Sequence, residues 1–406
     1  MKLFRFNLIK FSAISCLVLL AGIISSCHVQ KQKSGGLSSD FVDEQLRSAV
    51  AHYKILMSHA AENSFPRTWE NGELKSAPSQ SWISGFYPGT LLYLYEYSGD
   101  KSLLDEAEQK LTVLEKEKHN TGTHDLGFML YCSFGNALRL TGKPAYREVI
   151  LTGTESLSKR FNPEVGCIRS WGKIDDEKNF LVIIDNMMNL EMMTWASRES
   201  GNNKYRDIAL THANTTMANH FRPDYSTWHV VNYNQQDGSI KEKKTAQGNA
   251  DSSSWARGQV WGLYGYTMMA RETGQKDYLE QAHHIAKFLL SHKNLPADGV
   301  PYWDFDAPDI PNAKRDASSG SIMASALLEL SRLSKGKQAA AYKQAAEKII
   351  RSLSSPAYRT VGNEAGGFLL KHSVGALPSK SEVDVPLSYA DYYYVEALMR
   401  YRDWYL

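Results

Sequence analysis

The sequence predicts an all-α fold, an (α/α)6 barrel of six helical hairpins in a single domain. Three observations predict it: helix-period apolar patterning dominates from Asp40 onward, a short glycine-bearing stop recurs along the chain, and the helices between stops alternate between two kinds. The composition agrees, with 406 residues, 43% hydrophobic, 11% aromatic, 22% charged and a formal net charge of +2. Such a chain can bury a large core, and disorder, collagen-like repeats and coiled coil are excluded. Near-balanced charge also gives no broad field for nucleic acid, so no nucleic-acid partner is expected.

The first element stands outside the barrel. Lys2, Arg5 and Lys10 give a positive start, and Phe11 to Ile24 is an uncharged, mostly apolar run. At about 14 residues it is too short to span a bilayer comfortably and suits a secretory signal. Ile24-Ser25-Ser26-Cys27 follows, an aliphatic residue, two small ones and a cysteine, which resembles a bacterial lipoprotein signal. The expectation is a removed leader over 1–26, a lipidated Cys27, a polar tether over 27–39 and the barrel over 40–406. A plain signal peptide with an incidental cysteine is the alternative. The protein is thus expected to be exported, periplasmic or held at the outer membrane by its lipid alone. Cys132 and Cys167 are too few for a disulfide framework, and Cys132, in an apolar helical pattern, reads as a small core residue.

The helices follow in order between their stops. Ser98-Gly99-Asp100, Thr141-Gly142-Lys143, Ser200-Gly201-Asn202, Thr273-Gly274-Gln275 and the looser Lys335-Gly336-Lys337 each close one helical run and open the next. Leu104, Ala107, Leu111 and Leu114 form one apolar stripe, with Asp105, Glu108, Lys110 and Glu115 elsewhere, so that helix is amphipathic and outer. The run 84–97 is apolar nearly all round, and 126–140, 186–198, 258–270, 317–334 and 387–399 read alike, so these helices are buried on most sides. Outer and inner helices alternating in six hairpins make two concentric rings. The inner-to-outer turns are tight. The outer-to-inner connections, about 61–81, 161–183, 223–252, 293–315 and 355–385, are long, and loops of that length carry function. All of them emerge at one end, so a cleft belongs at the N-terminal ends of the inner helices.

Distinctive residues gather at those helix starts: Trp82, His124 and Asp125, Asp185, then Trp255, Arg257 and Trp261, with Trp171, His229 and Gln247 from the loops. Asp125 and Asp185 each open an apolar helix, where a carboxylate otherwise serves as an N-cap. Two carboxylates at one low-dielectric rim push their pKa values apart, which makes one a proton donor near neutral pH. Arg257 lies one turn into an apolar helix and needs an anion, either Asp316 or Asp251 internally or a substrate carboxylate. His229 is either a loop histidine with backbone partners or a catalytic one. Tryptophans at a cleft mouth offer the flat faces a pyranose stacks on, although each also fits a core.

These motifs resemble the unsaturated glucuronyl hydrolases of glycoside hydrolase family 88. His124-Asp125-Leu126-Gly127-Phe128, Asp185-Asn186-Met187-Met188-Asn189, Ser254-Trp255-Ala256-Arg257-Gly258-Gln259 and Asp391-Tyr392-Tyr393-Tyr394 follow that family's order and spacing over about 40–404. The resemblance implies an (α/α)6 barrel without metal or organic cofactor. It also implies hydration of the C4=C5 bond that polysaccharide lyases leave in a non-reducing uronic acid. Asp185 would be the general acid/base, and Asp125 would hold the ring and keep Asp185 in its useful protonation state. His124, His229 and Gln247 would bind the ring and water region; Trp82, Trp171, Trp255 and Trp261 would shape and stack on the sugar; Arg257 would lie near the uronate. The partner is then a small unsaturated oligosaccharide. Ser379 and Lys380, in the loop 371–380, occupy the place where some relatives contact a sulfated sugar, with a different spacing here. Two other readings stand beside this one: an unsaturated rhamnogalacturonyl hydrolase acting on pectin fragments, and a non-catalytic sugar-binding lipoprotein. The His-Asp-Leu-Gly-Phe form argues against the first, and the presence of both Asp125 and Asp185 against the second.

Overall fold

A computed structural model of the chain describes residues 35–406; the leader, Cys27 and most of the expected tether lie outside the described residues. The helices are α1 (Ser39–His59), α2 (Phe86–Ser98), α3 (Lys101–Leu114), α4 (Asn136–Thr141), α5 (Pro144–Ser158) and α6 (Leu190–Ser200). They continue with α7 (Asn203–Asn219), α8 (Ala256–Thr273), α9 (Lys276–Ser291), α10 (Ala317–Leu333), α11 (Gly336–Leu353) and α12 (Ser388–Tyr405). A π-helical stretch, Gly127–Gly135, leads into α4, and a 3-10 stretch, Ile184–Asn189, leads into α6.

The even-numbered helices pack in sequence, with the π-helical stretch before α4 meeting α6, and α12 returns to α2, which closes the inner ring. Their burial explains why they are inside: α8 is buried without a break from Ala256 to Ala270, and α10 from Ala317 to Ser331. The odd-numbered helices bury one stripe each. In α9 it is Tyr278, Gln281, Ala282, Ile285, Ala286 and Leu289, the spacing of one helical face. The predicted (α/α)6 barrel is therefore the observed architecture.

Four of the five predicted stops are left-handed C-caps, at Gly99, Gly142, Gly201 and Gly274. The fifth differs. Helix α10 ends on an extended Ser334, and Gly336 with φ 58° opens α11 instead. Lys110, read as solvent-facing, is also buried, because its ammonium donates to the carbonyls of Ala61 (2.6 Å) and Glu62 (3.1 Å). At the N-terminus, Leu37 is buried and donates its N–H to the Tyr401 hydroxyl at 3.0 Å, so the core takes in the last residues of the stretch read as a tether.

The long connections are less irregular than their sequences suggested. They contain β1 (Phe65–Glu70) and β2 (Glu73–Ala77), β3 (Phe161–Asn162) and β4 (Cys167–Ile168), and β5 (Phe180–Ile183), β6 (Val230–Tyr233) and β7 (Ile240–Lys244), with β8 (Ser373–Ala376) and β9 (Ser381–Val385) last. All pairings are antiparallel, and β5-β6-β7 form one sheet from two separate connections. Strands this short show no readable alternation, which is why they escaped the pattern.

Two cavities lie within the inner ring. The larger, about 350 Å³, lies between the later turns of the inner helices and is walled by Tyr131, Cys132, Glu191, Trp195, Glu396 and Arg400. Cys132 is thus half-buried against this space rather than a core residue. An ionic belt runs beside it. Arg271 pairs with Glu191, with Glu329 (2.6 Å) and with Glu272 (3.1 Å), and Arg400 pairs with Glu329 (3.2 Å) and Glu396 (3.6 Å). The smaller cavity, about 230 Å³, lies at the N-terminal ends of the inner helices and is walled by His124, Asp125 and Asp185 among others.

The start of α2 meets the π-helical stretch at backbone distance. A methyl group at Gly85 would collide with the carbonyl oxygens of Phe128 and Met129, whereas one at Gly99 meets nothing within 4 Å. Gly85→Ala should therefore lower stability by about 2–3 kcal/mol through overpacking. Gly99→Ala should lose only about 1 kcal/mol, through its left-handed backbone. Urea unfolding of the two variants checks the ranking, and equal losses would refute the close-packing account.

Candidate active site

Each carboxylate is delivered by a different local device. Asp125 precedes the π-helical stretch, and its carbonyl accepts the N–H of Met129 at 2.9 Å. A π-turn of this kind, frequent at functional sites, ends the α-helical register where the side chain must face the cleft. Asp185 sits in the 3-10 turn that follows β5, with no side-chain cap. Neither carboxylate is therefore spent on capping a helix. Asp316 shows the contrast, because it caps α10 by accepting from the Ser318 N–H at 3.1 Å and from the Ser318 and Ser319 hydroxyls.

The three-stranded sheet brings His229 to Asp185. Ile183 pairs with Val230 across β5 and β6, and the Ile184 N–H donates to the His229 carbonyl at 3.1 Å. The imidazole then lies between Trp255, with ring centroids 4.5 Å apart, and the edge of Trp171 at 5.6 Å. Its Nδ1 accepts the N–H groups of Ala246 (3.1 Å) and Gln247 (3.3 Å), so the ring proton belongs to Nε2. That Nε2 is 3.9 Å from Asp185 Oδ2 and has no hydrogen-bond partner among the described residues. Burial, helped by the Arg257 charge and by His220, pushes the His229 pKa down to about 3. His229 is a neutral donor.

Asp185 is the complementary group. Burial pushes its pKa up to about 7, against the Arg257 charge and its own backbone N–H, while the like charge of Asp125 raises it further. The Trp261 indole N–H is near enough to lower it slightly, yet Nε1 falls short of hydrogen-bond geometry. Asp185 Oδ2 likewise has no partner among the described residues. A carboxyl that titrates near neutral pH and a neutral imidazole thus face each other with hydrogen-bonding capacity unspent, the arrangement expected of a proton donor awaiting substrate.

The cleft wall consists of Trp82, His124, Asp125, Phe128, Trp171, Ile183, Asp185, Gln247 and Arg257. Seven of these are residues expected from the sequence; Phe128, quoted only within its motif, and Ile183 were not chosen. Other expectations are corrected. Trp255 is buried behind His229, and Trp261 packs against Phe128 (5.1 Å) and Tyr393 (5.5 Å), so neither is an open stacking platform. Arg257 lies 3.5 Å from Asp316 and donates to the carbonyls of Val374 and Gly375, between the rings of Trp255 and Tyr389. The internal ion pair is thus formed with Asp316, and Asp251 instead accepts the Thr245 N–H at 2.8 Å. Gln247 reaches the same Gly375 carbonyl at 3.4 Å. Ser379 and Lys380 are exposed at the tip of the β8–β9 hairpin, whose base, not its tip, meets the cleft.

The family model described as Glycosyl Hydrolase Family 88 matches residues 57–405. The chain is 42% identical over 363 residues to an unsaturated glucuronyl hydrolase of Formosa agariphila, covering 88% of this chain and 90% of that protein. The crystal structure of an unsaturated glucuronyl hydrolase specific for heparin superimposes with a TM-score of 0.87 at 46% identity, covering 90% of this chain and 98% of that one. A mutant unsaturated glucuronyl hydrolase from Streptococcus agalactiae complexed with dGlcA-GalNAc6S gives 0.79 at 28% identity, covering 92% and 95%.

With Asp185 as the proton donor, activity should fall as pH rises through about 7. Asp125→Asn removes a like charge beside it, so the alkaline limb of its residual kcat/KM should move to lower pH. An unmoved limb would show that the two carboxyls do not interact.

Proposed function

The chain belongs to glycosyl hydrolase family 88, and on that premise we propose that it releases the 4,5-unsaturated uronic acid from the non-reducing end of glycosaminoglycan-type disaccharides left by polysaccharide lyases. The observation that carries this reading is Asp185, a half-buried carboxyl whose pKa is pushed up to about 7, beside a neutral His229. Hydration of a vinyl ether needs one group that is first an acid and then a base, on the side of the ring that water attacks.

The steps balance without any further reagent. Protonated Asp185 gives its proton to C4, and the positive charge that develops at C5 is shared with the ring oxygen. Water adds at C5 and returns a proton to the Asp185 carboxylate, which restores the starting state. The hemiketal so formed opens, expelling the aglycone sugar and leaving a keto-deoxy uronate. His229 Nε2–H is placed to hold the water or a ring oxygen, with Gln247 beside it. Trp82 and Trp171 are the aromatic faces open to the sugar, and Asp125 and His124 line the same wall. The exposed Ser379 and Lys380 would meet only an aglycone reaching beyond the cleft. The distance rule for inverting and retaining glycosidases does not apply, because no displacement occurs at the anomeric carbon.

Purified protein should bleach the ultraviolet absorbance of the conjugated C=C–COO⁻ group in unsaturated heparin, chondroitin or hyaluronan disaccharides. Asp185→Asn should lower kcat by about 10³-fold with its fold intact. Bleaching only of unsaturated rhamnogalacturonan fragments would move the substrate class to pectin, and full activity in Asp185→Asn would remove its assignment as the acid. We further infer export as a lipoprotein anchored through Cys27, on the strength of the leader and the Ile24-Ser25-Ser26-Cys27 sequence. Cells expressing the full chain should incorporate labelled palmitate into it, and Cys27→Ser should abolish the label; label retained in that variant refutes the anchor.

A further inference from the structure

One side chain reaches both catalytic segments without lining the cleft. Asn189, fully buried, stands four positions after Asp185, and its Oδ1 accepts the N–H of Gly127, two positions after Asp125, at 2.9 Å. Gly127 is what allows the approach, since a Cβ there would lie 2.6 Å from both the Asn189 Cα and its Oδ1. A backbone N–H on Oδ1 settles which end of the amide is which. The Nδ2 end therefore faces the other way, donating to Asn186 Oδ1 at 3.2 Å and lying 3.5 Å from His124 Nδ1. Asn186 is oriented independently, because its own Nδ2 donates to the Ile168 carbonyl at 2.8 Å and to Ser170 Oγ at 3.3 Å.

These bonds decide the state of His124. Its Nδ1 faces an N–H donor and must offer a lone pair, so the ring proton sits on Nε2, 3.3 Å from Asp125 Oδ1. The other carboxylate oxygen of Asp125 accepts the Thr123 hydroxyl at 3.0 Å, and that hydroxyl accepts the Asp125 N–H at 3.1 Å. Had the proton been on Nδ1, two N–H groups would meet at Asn189 and a lone pair would face the carboxylate.

We propose that Asn189 is a positioning residue for the reaction: its amide fixes His124 as the Nε2–H tautomer, so that the ring N–H faces Asp125 Oδ1 at 3.3 Å on the wall that Asp125 shares with Asp185. The proposal rests on the hydrolase reading for its kinetic consequence, but not for its tautomer.

Long-range 1H–15N correlation of protein labelled at the imidazole nitrogens reads the tautomer directly, with His124 assigned by its loss in His124→Gln. The wild-type ring should appear as Nε2–H with a hydrogen-bonded Nδ1. A wild-type Nδ1–H ring overturns the proposal without any variant. Asn189→Asp keeps the acceptor for Gly127 but puts an oxygen opposite His124 Nδ1. It should draw a proton onto Nδ1 and lower kcat roughly 10- to 100-fold, with KM within about 3-fold of wild type. In Asn189→Ala the Nδ1 resonance should shift to that of an unbonded lone pair. Unchanged resonances and unchanged kcat in whichever of these variants folds overturn the proposal. A wild-type protein with the expected tautomer that consumes no unsaturated disaccharide would instead sink the functional reading and leave the hydrogen-bond assignment standing.

Discussion

Everything at the cleft depends on the low-dielectric surroundings of one carboxyl group. Asp185 is an acid near neutral pH because burial disfavours its ionised form, and the nearby charges only adjust that effect. The barrel supplies the burial: six inner helices, apolar on most sides, leave a space of about 230 Å³ at their N-terminal ends. The same burial keeps His229 neutral, with its pKa pushed down to about 3. With both groups in their ordinary states, the proton would pass from the carboxyl to the imidazole, giving an ion pair and no carboxyl donor for carbon. Low dielectric thus selects the reactive arrangement by disfavouring charge on both partners at once.

How much of this was legible in the sequence follows from the range over which each feature is decided. The helices, their inner or outer character and four glycine stops are fixed within windows of one or two turns, so they could be read directly. Gly336 was misassigned because a glycine between two helices can serve either as the stop of one or the start of the next. The strands are two to six residues long, and one pairing, Ile183 with Val230, joins two separate connections. Nothing local announces such a pairing.

The site residues divide the same way. Asp125, Asp185 and His124 lie in motifs at helix starts, and the barrel alone places those starts together. The partners of Arg257 are Asp316 and the carbonyls of Val374 and Gly375, more than fifty positions away at the nearest, and composition could not choose between them and a substrate. Four tryptophans with similar local surroundings divide into two that face the cleft and two packed behind it. That division depends on the fit of His229 and Phe128 against them, not on the tryptophans' own neighbours in sequence. Asn189 was visible as the end of a motif, but its task depends on an N–H group sixty-two positions earlier.

The two cavities show why size is a poor guide to chemistry here. The larger space has carboxylates and guanidiniums already matched to one another, so its charges stabilise the packing of four inner helices and ask nothing of a ligand. Around the smaller one, His124 Nε2, Asp185 Oδ2, His229 Nε2 and Trp261 Nε1 are all buried without a full hydrogen bond among the described residues. Leaving buried polar atoms unsatisfied costs about 1–3 kcal/mol each, and folded proteins tolerate it mainly where function requires it. These four atoms come from four different chain segments, and His124 and Asp185 stand in the cleft wall itself. A substrate that supplies the missing partners recovers that energy on binding.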